Sequence, residues 1–325
     1  MMLKPLPILT LAVLGVAGLL AWKNWNKSTT ARTTDVESLR PSLSPRVSQP
    51  KSTRLDFLTD TGQPYQTRIN QLRGMLADGC SEPELRYLYQ LLEKAQPSSE
   101  LPEHWYVLAN DIMAMIHNHE TDPHRFSLQF RGLLQATHQP DVIRDYAVQH
   151  LVTWLNPTST QAGATRLPAA SPEMAADVLD ALASAAIDPS LAQSTIPGTT
   201  LMMLVDLVRS DSGVDCTHAV ATLKPWLLQA LQDGSALSNP IRVSAVSAAG
   251  VLAPKEFRPL IRNIAYQETA GSSLRLPAIA ALGQIGEQAD IAKLRAIAET
   301  SPELTYAAQG ATAKLISRLG IVEPS

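Results

Sequence analysis

Residues 241–254 read IRVSAVSAAGVLAP, residues 274–286 read LRLPAIAALGQIG, and residues 307–320 read AAQGATAKLISRLG. Aligned on their small residues, they share a period of 33: Arg242, Ala245, Ala249 and Leu252 are followed by Arg275, Ala278, Leu282 and Ile285. A further step lands on Ala308, Ala311, Leu315 and Arg318, so the alanine and leucine positions persist while both ends drift. Residues three, four and seven apart fall on one face of a helix, so each set predicts one apolar stripe, with a small residue where a neighbouring helix approaches closely. A fixed period of this length is the mark of a reiterated helical unit. Nearly three periods upstream, Arg144, Ala147, Leu151 and Trp154 repeat the pattern.

The composition agrees. The chain has 325 residues, 45% of them hydrophobic but only 5% aromatic, a balance that favours helices packed through Ala and Leu over a β-sandwich. Beyond Asp56 it reads as helices of about 11 to 18 residues joined by short turns. Ser171-Pro172, Asn239-Pro240 and Ser301-Pro302 each place a capping side chain before a proline, which is harmless in the first turn because its missing N–H has no partner there. Ser81 with Glu84 fits a capping box.

These segments, together with the following QADIAKLRAIAET, resemble HEAT repeats, and most closely the short bacterial HEAT-like kind also seen in phycobilin lyases. The resemblance is clearest over residues 240–320, extends to 123–155, and is weak elsewhere. It implies an all-α fold, an α-solenoid of HEAT-like helical hairpins in which helix 291–299 lines the second layer, and a binding surface in place of a reaction.

At the N-terminus, Leu6 to Trp22 runs LPILTLAVLGVAGLLAW without a charge, flanked by Lys4, Lys23 and Lys27. About 17 apolar residues is the lower limit for a membrane-spanning helix. Trp22 and Trp25 stand where interfacial aromatics belong, and the lysines can reach the headgroups. No A-x-A-like site follows, so residues 1–22 are read as an uncleaved single-pass anchor, not a secretory signal. Orientation rests on two opposed rules. The lysines and arginines after the segment favour a cytoplasmic domain, whereas a lysine before an apolar core is the layout of an export signal. The expectation is a bacterial inner-membrane protein with an extracytoplasmic array.

Residues 23–55 are rich in Ser, Thr, Arg and Pro, as in SLRPSLSPRVSQP at 38–50, and lack the apolar surface to offset ordering entropy. They predict a disordered tether that holds the array about 30 Å from the bilayer. An N-terminal helical subdomain is expected at 56–155, a turn-rich loop at 156–171, and the HEAT-like domain at 172–325.

Charge divides along the same line. Residues 1–55 hold eight Lys or Arg against Asp35 and Glu37, while the remainder carries 19 basic and 28 acidic side chains. An acidic array repels phosphate backbones, which argues against nucleic-acid binding, and the basic excess lies where it can meet anionic lipid.

Chemistry has few footholds. Cys80 and Cys216 have no CxxC or zinc spacing and read as free thiols. IHNHETDPH at 116–124 offers His117, His119 and His124 as metal-ligand candidates, the basis of the alternative reading, a metal-dependent or lyase-like enzyme. On a helix, however, His117 and His119 diverge; they read more simply as the end of a helix begun near Pro102, with Asp122-Pro123 opening the next. Asp60-Thr61-Gly62 lacks the strand and second copy of an aspartic-protease site, and Ser48 with Lys51 lies in the tether. No catalytic motif, metal site or cofactor is therefore expected. The recurring Arg144, Arg242 and Arg275 are candidates for partner binding, or for capping carbonyls of the adjacent repeat. Trp105, Trp154 and Trp226 are expected in the core. The function these features predict is a non-enzymatic, membrane-tethered scaffold for a protein partner.

Overall fold

The computed structural model describes residues 54–75, 79–94, 101–156, 165–210 and 212–321, all in the unit that runs from Pro50 to Ser325. They form α1 (Tyr65–Met75), α2 (Glu82–Glu93), α3 (Pro102–His119), α4 (Pro123–Gln135), α5 (Asp141–Leu155), α6 (Pro172–Ile187) and α7 (Ile196–Arg209). The chain continues through α8 (Thr217–Leu231), α9 (Asn239–Leu252), α10 (Pro254–Tyr266), α11 (Ser272–Ile285), α12 (Gln288–Thr300) and α13 (Thr305–Leu319). Short 3-10 turns occur, as at Asp56–Thr59 and Pro302–Leu304, and no strand is found among the described residues. The predicted all-helical class is what the described residues adopt.

Several helix starts follow from local chemistry. Ser171 accepts a hydrogen bond from the Met174 amide, Asp122 accepts from those of His124 and Arg125, and Ser81 and Glu84 close a capping box. Two expected starts shift. The cap of α9 is Ser238, with Asn239 already helical, and Ser301-Pro302 opens a 3-10 turn before α13 begins at Thr305. In both places proline at the first or second helical position is tolerated equally, so the Pro signal alone cannot fix the register.

Helices packed against one another form two layers. The odd-numbered helices contact in sequence, α1 on α3, α3 on α5, and so on to α11 on α13; the even-numbered ones do the same from α2 to α10. The core lies between the layers and contains every apolar member of the predicted stripes from Ala147 to Leu315. The stack continues across the 156–171 segment, since α5 packs on α7 and α4 on α6. Leu55, the last residue read as tether, is fully buried in this core.

The layers cohere by different means. From α9 onward odd helices touch through small residues: a Cβ on Gly250 would stand 2.9 Å from the Cβ of Ala281, whereas α1 and α3 are bridged by Arg73–Asp111. Neighbouring even helices are bridged instead by long charged side chains. Arg125–Glu82 joins α2 and α4, Arg131–Asp177 joins α4 and α6, Lys224–Glu256 joins α8 and α10, and Arg262–Glu287 joins α10 to the turn before α12. Exposed pairs of this kind each contribute about 0–1 kcal/mol, so the core and the small-residue contacts carry most of the stability.

Among the described residues no helix is long and apolar enough to cross a membrane. The expected anchor at 6–22 and nearly all of the tether lie outside the described residues, as do Ser48 and Lys51.

Candidate functional site: a cleft between α3 and α5

His117 occupies the last turn of α3, and His150 stands on α5, 33 residues later. This is the period of the repeat, so the two rings take equivalent places on consecutive odd helices. Their Nδ1 atoms are 3.5 Å apart. On the far side of its ring, His150 Nε2 lies 3.3 Å from Asn110 Oδ1. An amide oxygen can only accept, so this contact places the His150 proton on Nε2 and leaves a lone pair on Nδ1, facing His117.

An aromatic wall holds both rings. Phe126 meets His117 edge-on with centroids 5.3 Å apart, Phe130 meets His150 at 5.7 Å, and the two phenylalanines stack at 4.3 Å. Trp154 closes the cluster against Phe126, and its indole N–H donates to the Pro168 carbonyl at 2.8 Å. The described end of the 156–171 segment is tied down here as well: the Thr165 hydroxyl donates to the His117 carbonyl at 2.6 Å, and the Arg166 amide donates to that of Asn118.

The rings open onto a cleft of about 300 Å³ whose other walls include Asn118, Gln149, Thr153 and Thr165. It is polar, and among the described residues its walls hold no carboxylate or cationic side chain. Burial pushes the His117 pKa down to about 4; burial and the neighbouring His117 push His150 down to about 3. Both imidazoles are therefore neutral at physiological pH, poor as bases but with nitrogen lone pairs available as ligands.

The three histidines singled out in the sequence are not brought together. His117 lines the cleft, His119 is buried at the end of α3, and His124 is exposed on the first turn of α4. Among the described residues no group of three or more His, Cys, Asp or Glu could hold a metal ion. Cys80 and Cys216 are free, and burial raises the Cys80 thiol to about 12, which removes its nucleophilicity. Asp60 makes a tight turn, accepting from the Gly62 amide.

The recurring arginines share one task. Arg144 Nε donates to the Leu134 carbonyl at 2.8 Å, Arg242 Nε to Ala230 at 3.2 Å, and Arg275 Nε to Ala265 at 3.1 Å. Each acceptor is the penultimate residue of the preceding even helix, where carbonyls lack intrahelical partners. Arg68 makes a related contact through Nη1, donating to the Leu58 carbonyl of the 3-10 turn at 3.2 Å, which the stripe alignment missed because α1 lacks its alanine. In α13 the Arg position is Ala308, and the Thr305 hydroxyl caps Ala298 instead.

A second surface lies across α7, α9 and α11. A groove of about 170 Å³ there is walled by Met202, Arg209, Ser247, Val251, Pro277, Ala280 and Gln284, and Arg209 donates to the Gln284 amide oxygen at 3.3 Å. Arg242 and Arg275 are the only charged residues of α9 and α11, and both spend their Nε on carbonyls, so these two helices present almost no charge, and Arg209 of α7 is the one charged residue in the described walls of the groove. Leu276 is exposed on it. Trp105 and Trp154 are core residues, and Trp226 is half-buried against the core.

Comparisons with known protein families, curated proteins and solved structures find no match to this chain.

Proposed function

We propose that the chain is a membrane-tethered, non-enzymatic scaffold: an α-solenoid of HEAT-like hairpins that holds a protein partner on its odd-helix face. The feature that most supports a protein partner is the uncharged strip of α9 and α11, with Leu276, Val251 and Pro277 accessible beside Ser247 and Gln284. Charge depletion with a few apolar anchors and amide or hydroxyl groups at the margin is the composition of an interface centre. It is the opposite of a nucleic-acid footprint.

The two layers give this face its geometry. Small residues let the odd helices from α9 onward approach closely, while even helices are held by long bridging side chains, and helix spacing follows side-chain size. The closely spaced layer then lies on the inner side of a curving stack, the side that solenoids use for extended partners. Residues 6–22 are the anchor and residues 23–53 the leash, with the array on the extracytoplasmic side of a bacterial inner membrane.

The test is capture of partners from detergent-solubilised membranes by the full-length chain and by Ala280→Arg and Leu276→Glu variants. Ala280 and Leu276 are exposed, so the folded array should tolerate both changes. A specific protein retained by the wild type and lost from both variants, with their melting temperatures unchanged, is the expected result. Retention of the same proteins by all three sinks the assignment of this face. Protease accessibility of the array in spheroplasts tests orientation: resistance to added protease would place it in the cytoplasm.

A further inference from the structure

The scaffold reading makes no use of the cleft between α3 and α5. Two imidazoles in a polar cleft, each on a different hairpin, are more than a packing contact requires. We propose that His117 and His150 form a two-histidine site for a divalent first-row transition ion, bound through both Nδ1 atoms, with water completing the coordination.

Distance comes first. Metal–imidazole bonds are about 2.0–2.1 Å long, so one ion joins two nitrogens 3.5 Å apart at an angle of about 115°, close to tetrahedral. The outer shell is also present. Ligand histidines as a rule donate their second ring N–H to a fixed oxygen, and Asn110 Oδ1 lies 3.3 Å from His150 Nε2 to accept it. A cleft of about 300 Å³ leaves room for the ion and several waters, each needing about 30 Å³. Asn118, Gln149, Thr153 and Thr165 supply neutral oxygens around it.

The proton count balances. Without an ion, the His117 Nδ1 proton is donated to His150 Nδ1; with one, that proton moves to His117 Nε2 and both Nδ1 lone pairs are free. Both rings start neutral, so no net proton is released near neutral pH. The donor set selects the ion class. Imidazole suits copper, nickel and zinc, whereas walls whose described residues include no carboxylate are a poor fit for magnesium and calcium. Copper(II) should bind most tightly, following the usual order of divalent stability.

The experiment is calorimetric titration of the metal-stripped full-length chain with Cu²⁺, Zn²⁺ and Mg²⁺, with electron paramagnetic resonance of the copper form. One saturable equivalent, copper tighter than zinc, no magnesium heat and hyperfine coupling to two nitrogens are expected. His150→Gln should weaken copper binding at least about 10-fold. Asn110→Ala keeps both ligands and should weaken it by about 10- to 100-fold, the usual effect of losing an outer-shell partner. The pair His119→Gln plus His124→Gln should leave affinity unchanged. Circular dichroism checks each fold; if His150→Gln fails to fold, Asn110→Ala and the two-nitrogen signal decide. No saturable equivalent, the same affinity in Asn110→Ala as in wild type, or loss of binding in the His119/His124 variant would each overturn the site.

Discussion

A Cβ placed on Gly283 would stand 2.9 Å from the Cα of Ala311, where α11 crosses α13. The obstacle is backbone, which cannot turn aside as a side chain can. Gly283→Ala therefore has to push two helices of the odd layer apart, and overpacking of this kind costs about 1–3 kcal/mol. Gly310 offers the contrast within the same helix pair, because nothing lies within 4 Å of an added Cβ. Gly310→Ala should stabilise the array by about 0.5–1 kcal/mol, since alanine loses less backbone entropy in a helix. Urea denaturation of the two variants should therefore move the midpoint in opposite directions.

Arg275 is the arginine of the recurring set whose position is easiest to test, since it is buried and donates to the Ala265 carbonyl. Hydrogen bonds from charged donors contribute about 1.5–3 kcal/mol, and truncation also leaves a helix-end carbonyl without its donor. Arg275→Met should cost about that much. Arg275→Lys should restore little, because an ammonium on a flexible stem does not reproduce the planar guanidinium. Thermal melts of both variants against wild type measure the difference.

These two cases show which features were readable in advance. The 33-residue stripe was legible because burial forces Ala278, Leu282 and Ala311 onto one helix face, and burial is what periodicity records. The even layer was largely illegible, because its bridges join charged residues whose pairing depends on helix spacing. His150 was passed over for a related reason. It lies six residues after Arg144, off the apolar stripe, in a segment read only for its core positions. Its spacing of 33 from His117 was the available signal, and it becomes meaningful once equivalent positions on successive odd helices are known to be neighbours.

Asp145 on α5 carries a pH signature. Burial raises its pKa from 3.8 to about 6; the hydroxyls of Thr195 and Thr199 lower it, nearby Asp141 raises it and Arg144 lowers it. A carboxyl whose folded pKa is raised takes up its proton on folding, so its contribution to stability is most favourable below pH 4 and is lost as pH rises through about 6. Asp145→Asn removes the charge while keeping an oxygen for Thr195, whose hydroxyl donates at 2.5 Å. The variant should be more stable than wild type at pH 7.5, by on the order of 2 kcal/mol, and the gap should close below about pH 4. Denaturation curves at pH 4, 6 and 7.5 provide the check, and an equal gap at all three would show that Asp145 titrates normally.

Glu120, between α3 and α4, has the opposite sign. Its side chain is fully buried and accepts from the Tyr89 hydroxyl at 2.9 Å, from Arg125 Nε at 2.8 Å and Nη2 at 2.7 Å, and from the amides of Thr121 and Asp122 at 2.8 Å. Desolvation alone would raise its pKa, but the donors, Arg125 foremost, outweigh it and hold the carboxyl below its usual range. Its stabilisation is therefore complete above the unfolded carboxylate pKa and fades as pH falls through the folded one. Glu120→Ala removes the shared acceptor of Tyr89, Thr121 and Asp122 while Arg125 keeps its pairing with Glu82, a loss of about 1–3 kcal/mol near neutral pH. Arg125→Met should cost more, because it also removes the Glu82 pairing and leaves the fully buried carboxylate with Tyr89 and the two amides but no cation. The two changes should be non-additive by about 1–3 kcal/mol, since they remove the same contacts. A double-mutant cycle at pH 7 and again near pH 3 measures that coupling, which should shrink at the lower pH as the carboxylate takes up its proton.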